Sequence, residues 1–440
     1  MKKTLILLLI VAAVAGGVFA QTFTLGGQIY GNAILGAGTT AKAADGSTVD
    51  PWAAGSVRRI RFNMSAANAD NTIGAWARFE SGNGGLESDQ SKSLATGLNM
   101  RLFGYAWWQP IPQFKLQIGT NPSGHFEQDS IARWGFYDTV GDVQAVKENW
   151  YFTGSFFPGY ALAATVMTLA PVDGLTINVA VPFEQMNMYN DIIASPSLPA
   201  AQPGAYQGAF HYLSGVYKNT AAQIQYAIKD VGKFGLTYQG GSNDTVTTKA
   251  LTPNTSILGG MTDYSNAPWL YLYGNYIAVQ NLAVELGVGY QLKVTDTFAD
   301  SGHALGAAET TLNSPVYVGV AATYKPSEFG FKARVQGQFG GSLEQTGLAD
   351  VKLPLRIVAD VMPMYTISDG LTLFVSLGLV YTAPDVGDSI VGWYANPYLR
   401  KDIGSGCFIA GIRVDSNGQN DADGNKYIGW AIPVAISYSF

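Results

Sequence analysis

Ile428-Gly-Trp430-Ala-Ile432-Pro-Val434-Ala-Ile436-Ser-Tyr438-Ser-Phe440 closes the chain, and its alternation governs the reading of everything before it. Every second residue from Ile428 to Phe440 is large and apolar, and the residues between are Gly, Ala, Pro or Ser. Side chains alternate across a strand, so one face of this segment is wholly apolar and the other small or polar. A strand with lipid on one side and a lumen on the other needs this pattern. Trp430 and Phe440 are ten positions apart. On a strand tilted near 40° that distance spans roughly 25 Å along the barrel axis, the height of a lipid-facing band.

The same alternation recurs upstream. It runs through Leu282-Val284-Leu286-Val288-Tyr290-Leu292-Val294, with Glu285, Gln291 and Lys293 between. It returns in Phe331-Ala333-Val335-Gly337-Phe339, interleaved with Lys332, Arg334, Gln336 and Gln338, and in Leu371-Leu373-Val375-Leu377-Leu379-Tyr381. These segments run about nine to thirteen residues, the length of a tilted strand crossing a bilayer and longer than most strands of a soluble sandwich. From residue 229 onward the connections alternate. Asp230 to Gly232, Val279 to Asn281, Lys325 to Glu328, Ser368 to Gly370 and Asp402 to Gly406 are short. Gly241 to Ala267, Thr295 to Asn313, Gly341 to Leu353, Ala383 to Ile390 and Ser416 to Asn425 are longer and polar. Short turns at one end and long loops at the other are the asymmetry of an outer-membrane barrel.

Composition agrees. Only 13% of the 440 residues are charged, about half the share of a soluble domain. Mean hydropathy is nevertheless just +0.10, which excludes a polytopic helical membrane protein. The 24 Tyr and 52 Gly suit many strands, frequent turns and interfacial side chains. Residues 1–20 read as a cleaved signal peptide: Lys2 and Lys3, an apolar run from Leu5 to Ala15, then Val18 and Ala20 before a cut at Gln21. Residues 21–440 then form one barrel with long extracellular loops. The single Cys, Cys407, excludes an intramolecular disulfide. A net charge of −6 weighs against nucleic acid as a partner. The expected fold class is all-β: a transmembrane antiparallel β-barrel of about eighteen strands, with roughly sixteen to twenty open. The count is open between Trp150 and Lys229, where Tyr206 to Lys218 and Thr220 to Ile228 read as two strands or as a loop running into one. Pro182, Pro363, Pro397 and Pro433 interrupt strand-like sequence, and a closed sheet has no edge to hold them, so they are expected at bulges or strand ends.

On the signal peptide, the terminal Phe440 with Tyr438 and Ile436 at alternate positions, and the strand-turn-strand-loop rhythm, the chain resembles the bacterial outer-membrane porin superfamily. The likeness is one of pattern over the whole mature chain. It implies a bacterial outer-membrane location, contact with outer-membrane lipid, and an assembly signal at Ile436, Tyr438 and Phe440 read by the barrel assembly machinery. It also allows a homotrimer, and implies a water-filled channel for passive diffusion of small hydrophilic solutes.

A barrel of this size is too wide for side chains to fill, so its inward residues set selectivity. Where Ile60, Phe62 and Met64 face lipid, Arg59, Arg61 and Asn63 face inward. On the following segments Trp76, Arg78 and Glu80, then Asn99 and Arg101, then Lys115 and Gln117 share that inward parity. Arg59, Arg61, Arg78, Arg101 and Lys115 thus form an expected basic wall. The long segment Asn121 to Glu148 carries Glu127, Asp129, Asp138, Asp142 and Glu148. In porins a loop at this place folds inward and sets carboxylates against a basic wall, and opposed charges across a narrow gap sort solutes by charge. The bland alternative is a solvated outer loop. Trp76, Phe103, Tyr105 and Trp107 also point inward, where they either stack on a sugar ring or pack under the loop.

Catalytic and cofactor signals are absent from the reading. His125, His211 and His303 are isolated, without metal-ligand spacing, and no Gly-x-Ser-x-Gly elbow occurs. The run Asp415 to Asn425 has oxygen donors at alternate positions but no Gly at its sixth place and no closing Glu, so it reads as a hydrated turn. No enzyme, cofactor or metal is expected. The alternative to a channel is a barrel used as a surface adhesin or structural outer-membrane protein.

Overall fold

The computed structural model describes residues 22–42, 46–81, 100–121, 163–182, 220–240, 269–292, 294–296, 310–313, 316–345, 350–416, 418, 420–421 and 423–440. Among them every regular element is a strand. In chain order these are β1 Thr22–Thr39, β2 Trp52–Ala67, β3 Ile73–Ser81, β4 Met100–Ile111, β5 Phe114–Thr120, β6 Ala164–Leu169, β7 Leu175–Pro182 and β8 Ala221–Ile228. There follow β9 Gly232–Gln239, β10 Trp269–Tyr276, β11 Leu282–Gln291, β12 Val294–Asp296, β13 Thr310–Asn313, β14 Val316–Tyr324, β15 Phe329–Phe339 and β16 Ser342–Gln345. The last are β17 Val351–Lys352, β18 Leu355–Ser368, β19 Leu371–Ala383, β20 Ile390–Ile403, β21 Gly406–Gly411, β22 Arg413–Ser416 and β23 Gly429–Ser439.

Nineteen of these elements form one sheet, and β21 with β22 are two pieces of a single strand, giving a ring of eighteen. Every pairing is antiparallel, and β23 pairs with β1 to close the ring. β7 pairs directly with β8, which fixes the count at eighteen; the alternative strand Tyr206 to Lys218 lies outside the described residues. The four remaining strands make a small sheet of their own, β12-β13-β16-β17. They continue β11, β14, β15 and β18 beyond the ring at the end that carries the long connections.

The opposite end carries the tight turns. Asn71, Asp230 and Asn281 sit there at positive φ, as do Gly174, Gly370 and Gly404, the residue types that tolerate the left-handed region. Asn68 shows how such a turn is held: its Oδ1 accepts from the Thr72 and Ile73 amides at 2.8 and 3.0 Å.

The two faces of the ring differ as the alternation requires. Outward positions expose Leu25, Leu102, Val335, Leu379, Ile436 and Tyr438. Inward positions bury Glu80, Gln223, Arg334, Asp360, Asn396 and Arg413. Apolar exposure on this scale stabilises a sheet only against lipid. At the seam, the Gly27 amide donates to the Phe440 carbonyl at 2.8 Å and the Phe440 amide donates to the Gly27 carbonyl at 3.1 Å. The Phe440 ring lies where a Cβ on Gly27 would be, so only glycine admits it.

The prolines stand where pairing stops. Pro182 ends β7. Pro363 pairs with Phe331 on one side, while the other ladder skips from Val361 to Met364. Pro397 and Pro433 flank Ile412 from both sides, and lacking N–H groups they leave the gap that divides β21 from β22. The Ile412 amide still reaches the Pro397 carbonyl at 2.9 Å.

Candidate pore wall

Strands β2 to β5 carry the basic residues marked by the sequence. Register places Tyr30 opposite Arg59 and Gly31 opposite Val57, so Arg58 is the extra residue of a β-bulge. Arg61 faces inward beside half-exposed, outward Phe62. Arg59 and Arg101 lie within β2 and β4, Arg101 directly opposite Glu80; their side chains lie outside the description.

The wall is not uniformly basic. Glu80 is buried, and Arg61 Nε donates to its Oε2 at 2.7 Å. Arg78 Nη1 stands 4.0 Å from the same oxygen, and Arg78 Nε donates to Asn63 Oδ1 at 2.7 Å. The pairing Arg61 with Glu80 and Asn63 with Arg78 is the β2–β3 register itself. Glu80 is the one carboxylate in the sequences of β2 to β5. It holds the arginine heads against the wall and cancels part of their field.

Between this charged row and the tight-turn end lie the inward aromatics. Trp76 stacks on its cross-strand partner Tyr105 at 5.3 Å between centroids, and Tyr105 meets Trp107 at 6.0 Å. Arg78 Cζ lies 5.1 Å from the Trp76 ring centre, and Lys115 Nζ lies 5.5 Å from that of Trp107. Trp107 lies over Gly74, where a Cβ would strike the indole. All five side chains are half-buried.

Glu127, Asp129, Asp138 and Asp142 lie outside the described residues, so the carboxylate loop stays an expectation.

Sequence reading missed the far side of the ring. Arg334 Nε on β15 donates to Asp360 Oδ2 on β18 at 2.7 Å. Tyr394 Oη on β20 donates to Asp360 Oδ1 at 2.9 Å and lies 3.0 Å from Ser376 Oγ. Arg413 Cζ is 5.5 Å from the Tyr394 ring centre, and its Nε donates to Asp415 Oδ2 at 2.6 Å. Between the two walls, inward amides and hydroxyls bond in series across β6 to β9. Thr168 donates to Asn178 at 2.7 Å, Asn178 to Gln223 at 3.2 Å and Gln223 to Thr237 at 3.1 Å. The parity that singled out Arg61 also marks Arg334, which interleaves with Phe331 to Phe339. Only the ring order brings it to Asp360, Tyr394 and Arg413. Among the described residues no three His, Cys, Asp or Glu side chains gather as metal ligands.

A closed eighteen-strand ring, apolar outside and charged inside, is the architecture of bacterial outer-membrane porins, and the chain has that fold. Solved structures support it. The chain is similar to OccK11 (OpdR) of Pseudomonas aeruginosa at 11% identity and TM-score 0.51, covering 96% of this chain and 97% of that one. It is similar to the outer-membrane channel DcaP of Acinetobacter baumannii at 11% identity and TM-score 0.50, covering 96% and 98%. No protein-family model matches the sequence, and no curated protein matches it.

Proposed function

We propose that this chain is an outer-membrane porin, a water-filled channel through which small hydrophilic solutes diffuse passively. One observation carries the reading: a closed ring of eighteen strands that exposes aliphatic side chains outward and turns arginines, carboxylates and amides inward. A ring of that size encloses a lumen wider than its own side chains can fill. Polar groups facing inward cost little where water reaches them, whereas an arginine facing lipid would cost roughly 2–4 kcal/mol near the midplane.

Arg59, Arg61, Arg78, Arg101 and Lys115 give the lumen a net positive side and favour anions. Glu127, Asp129, Asp138 and Asp142 oppose that side from the loop after β5. Residues 1–20 direct export, and Ile436, Tyr438 and Phe440 present the last strand to the barrel assembly machinery. The chain sits in outer-membrane lipid, alone or as a homotrimer. Swelling of liposomes loaded with the purified chain tests the channel. Small sugars should enter at rates that fall with solute size, and liposomes that admit none would refute it. Neutralising Asp129 and Asp138 together should strengthen anion preference; an unchanged preference would remove the loop from the pore.

A further inference from the structure

Arg78, Trp76, Tyr105, Trp107 and Lys115 form one unbroken series of contacts on the inward face of β3, β4 and β5. Each step is a ring-to-ring or cation-to-ring approach of 5.1 to 6.0 Å. The register orders them along the wall. Arg78 lies opposite Phe103, Trp76 opposite Tyr105, Gly74 opposite Trp107, and Lys115 one step further, beyond the Trp107–Gln117 pair. Three steps of two residues span about 20 Å of strand. A strip of three aromatic rings, inclined to one another by 27° and 51°, therefore runs along the lumen wall with a cation at each end.

Two features separate this strip from ordinary wall packing. First, among the described residues its two cations have one carboxylate near them, Glu80. Arg78 shares Glu80 with Arg61, the nearer partner, and among the described residues Lys115 meets no carboxylate within ion-pair distance. Second, the rings are held before any solute arrives. Trp107 is seated over Gly74, its Nε1 donates to the Asn71 carbonyl at 3.4 Å, and Trp76 is fixed between Tyr105 and Arg78. A platform ordered in advance loses less conformational freedom on binding.

Resting on the channel reading above, we propose that this strip binds small anions that carry a flat ring, and passes them from the Arg78 end to the Lys115 end. The solute's ring meets the half-exposed edges of the indoles and the phenol, and the anionic group meets the guanidinium or the ammonium. An anion without a ring gains only the charge contact, and a ring without charge only the stacking.

The test uses the full chain in a planar bilayer, with chloride current blocked by benzenesulfonate, by methanesulfonate, or by benzyl alcohol. Both sulfonates stay charged at any working pH, so they differ in the ring alone. Benzenesulfonate should half-block at a concentration at least about tenfold below methanesulfonate and below benzyl alcohol. The ratio of the two sulfonate values should fall towards one in Trp107→Leu, whereas Lys115→Gln should weaken both sulfonates and bring benzenesulfonate towards benzyl alcohol. Trp76→Phe, which keeps a ring, should preserve the ratio, and Trp76→Leu should lower it. Equal block by the two sulfonates, or a ratio unmoved by Trp107→Leu and Trp76→Leu, would overturn the proposal while leaving the channel intact. Absence of any chloride current would instead refute the channel reading.

Discussion

Replacing Glu80 by Gln removes the one carboxylate from β2 to β5 and should push ion selectivity towards anions. Replacing Arg61, its partner at 2.7 Å, should push it towards cations. In water an ion about 8 Å from the altered charge changes energy by about 0.5 kcal/mol. Screening at 0.1 M salt, with a Debye length near 10 Å, reduces that to about 0.2 kcal/mol. Anions and cations respond with opposite signs, so the permeability ratio moves by about 0.5 kcal/mol, or roughly twofold, per charge. Arg61→Gln with Arg101→Gln should therefore shift the ratio about fivefold towards cations, and Glu80→Gln about twofold towards anions. At 1 M salt the Debye length is about 3 Å and each effect should shrink to roughly 10%. Reversal potentials across a salt gradient read the ratio. If the arginine and glutamate variants move it in the same direction, or if the shifts persist at 1 M, these side chains do not line the conducting path.

Deleting Phe440 removes two backbone hydrogen bonds that join β1 to the chain end. At roughly 0.5–1.5 kcal/mol each, the seam should weaken by about 1–3 kcal/mol. The barrel should unfold at lower urea, and less of the chain should reach the outer membrane of producing cells; wild-type midpoint and yield would refute both roles. Asp360→Ala strands the Arg334 guanidinium, which is 2% exposed, without its carboxylate. Breaking a buried pair costs about 3–5 kcal/mol, and Arg334→Met in the same chain should restore most of the loss, which melting followed by circular dichroism would show. In the turn before β23, amides of Asn425, Asp423 and Lys42 donate to Asp421 and hold its carboxyl below the usual carboxylate range. A depressed folded value stabilises the turn above the free-chain pKa of about 3.9 and loses that effect as pH falls through the lower folded value. Amide exchange at Asp423 and Asn425 should rise over that acid interval, and exchange independent of pH after correction for the intrinsic rate would contradict it.

The strands were legible because a barrel wall separates two media. Lipid outside and water inside write period two into every crossing segment, from Leu25 to Phe440. The same parity marks Arg61, Arg78, Trp76 and Lys115 as inward in the sequence alone. What stayed hidden depends on register. Glu80 was readable as inward, but its pairing with Arg61 follows from the length of the Asn68–Thr72 turn, which sets which residues of β2 and β3 meet. The bulge at Arg58 leaves no periodic trace in so short a stretch. Arg334, Asp360, Tyr394 and Arg413 are spread over eighty residues of sequence, and only the order of the ring assembles them. Pro397 and Pro433 looked like objections to a closed sheet. They fall at one shared gap around Ile412, which neither reveals alone.

The central claim is that the ring encloses an open aqueous path. Single-channel recording of the purified chain in a planar bilayer tests it most directly. The account predicts discrete steps whose conductance rises in proportion to bulk salt at high concentration, with anion preference at low salt. A chain that inserts, resists heat as a folded barrel and yet carries no current in either polarity would contradict it, and would leave the surface adhesin or structural barrel as the better reading.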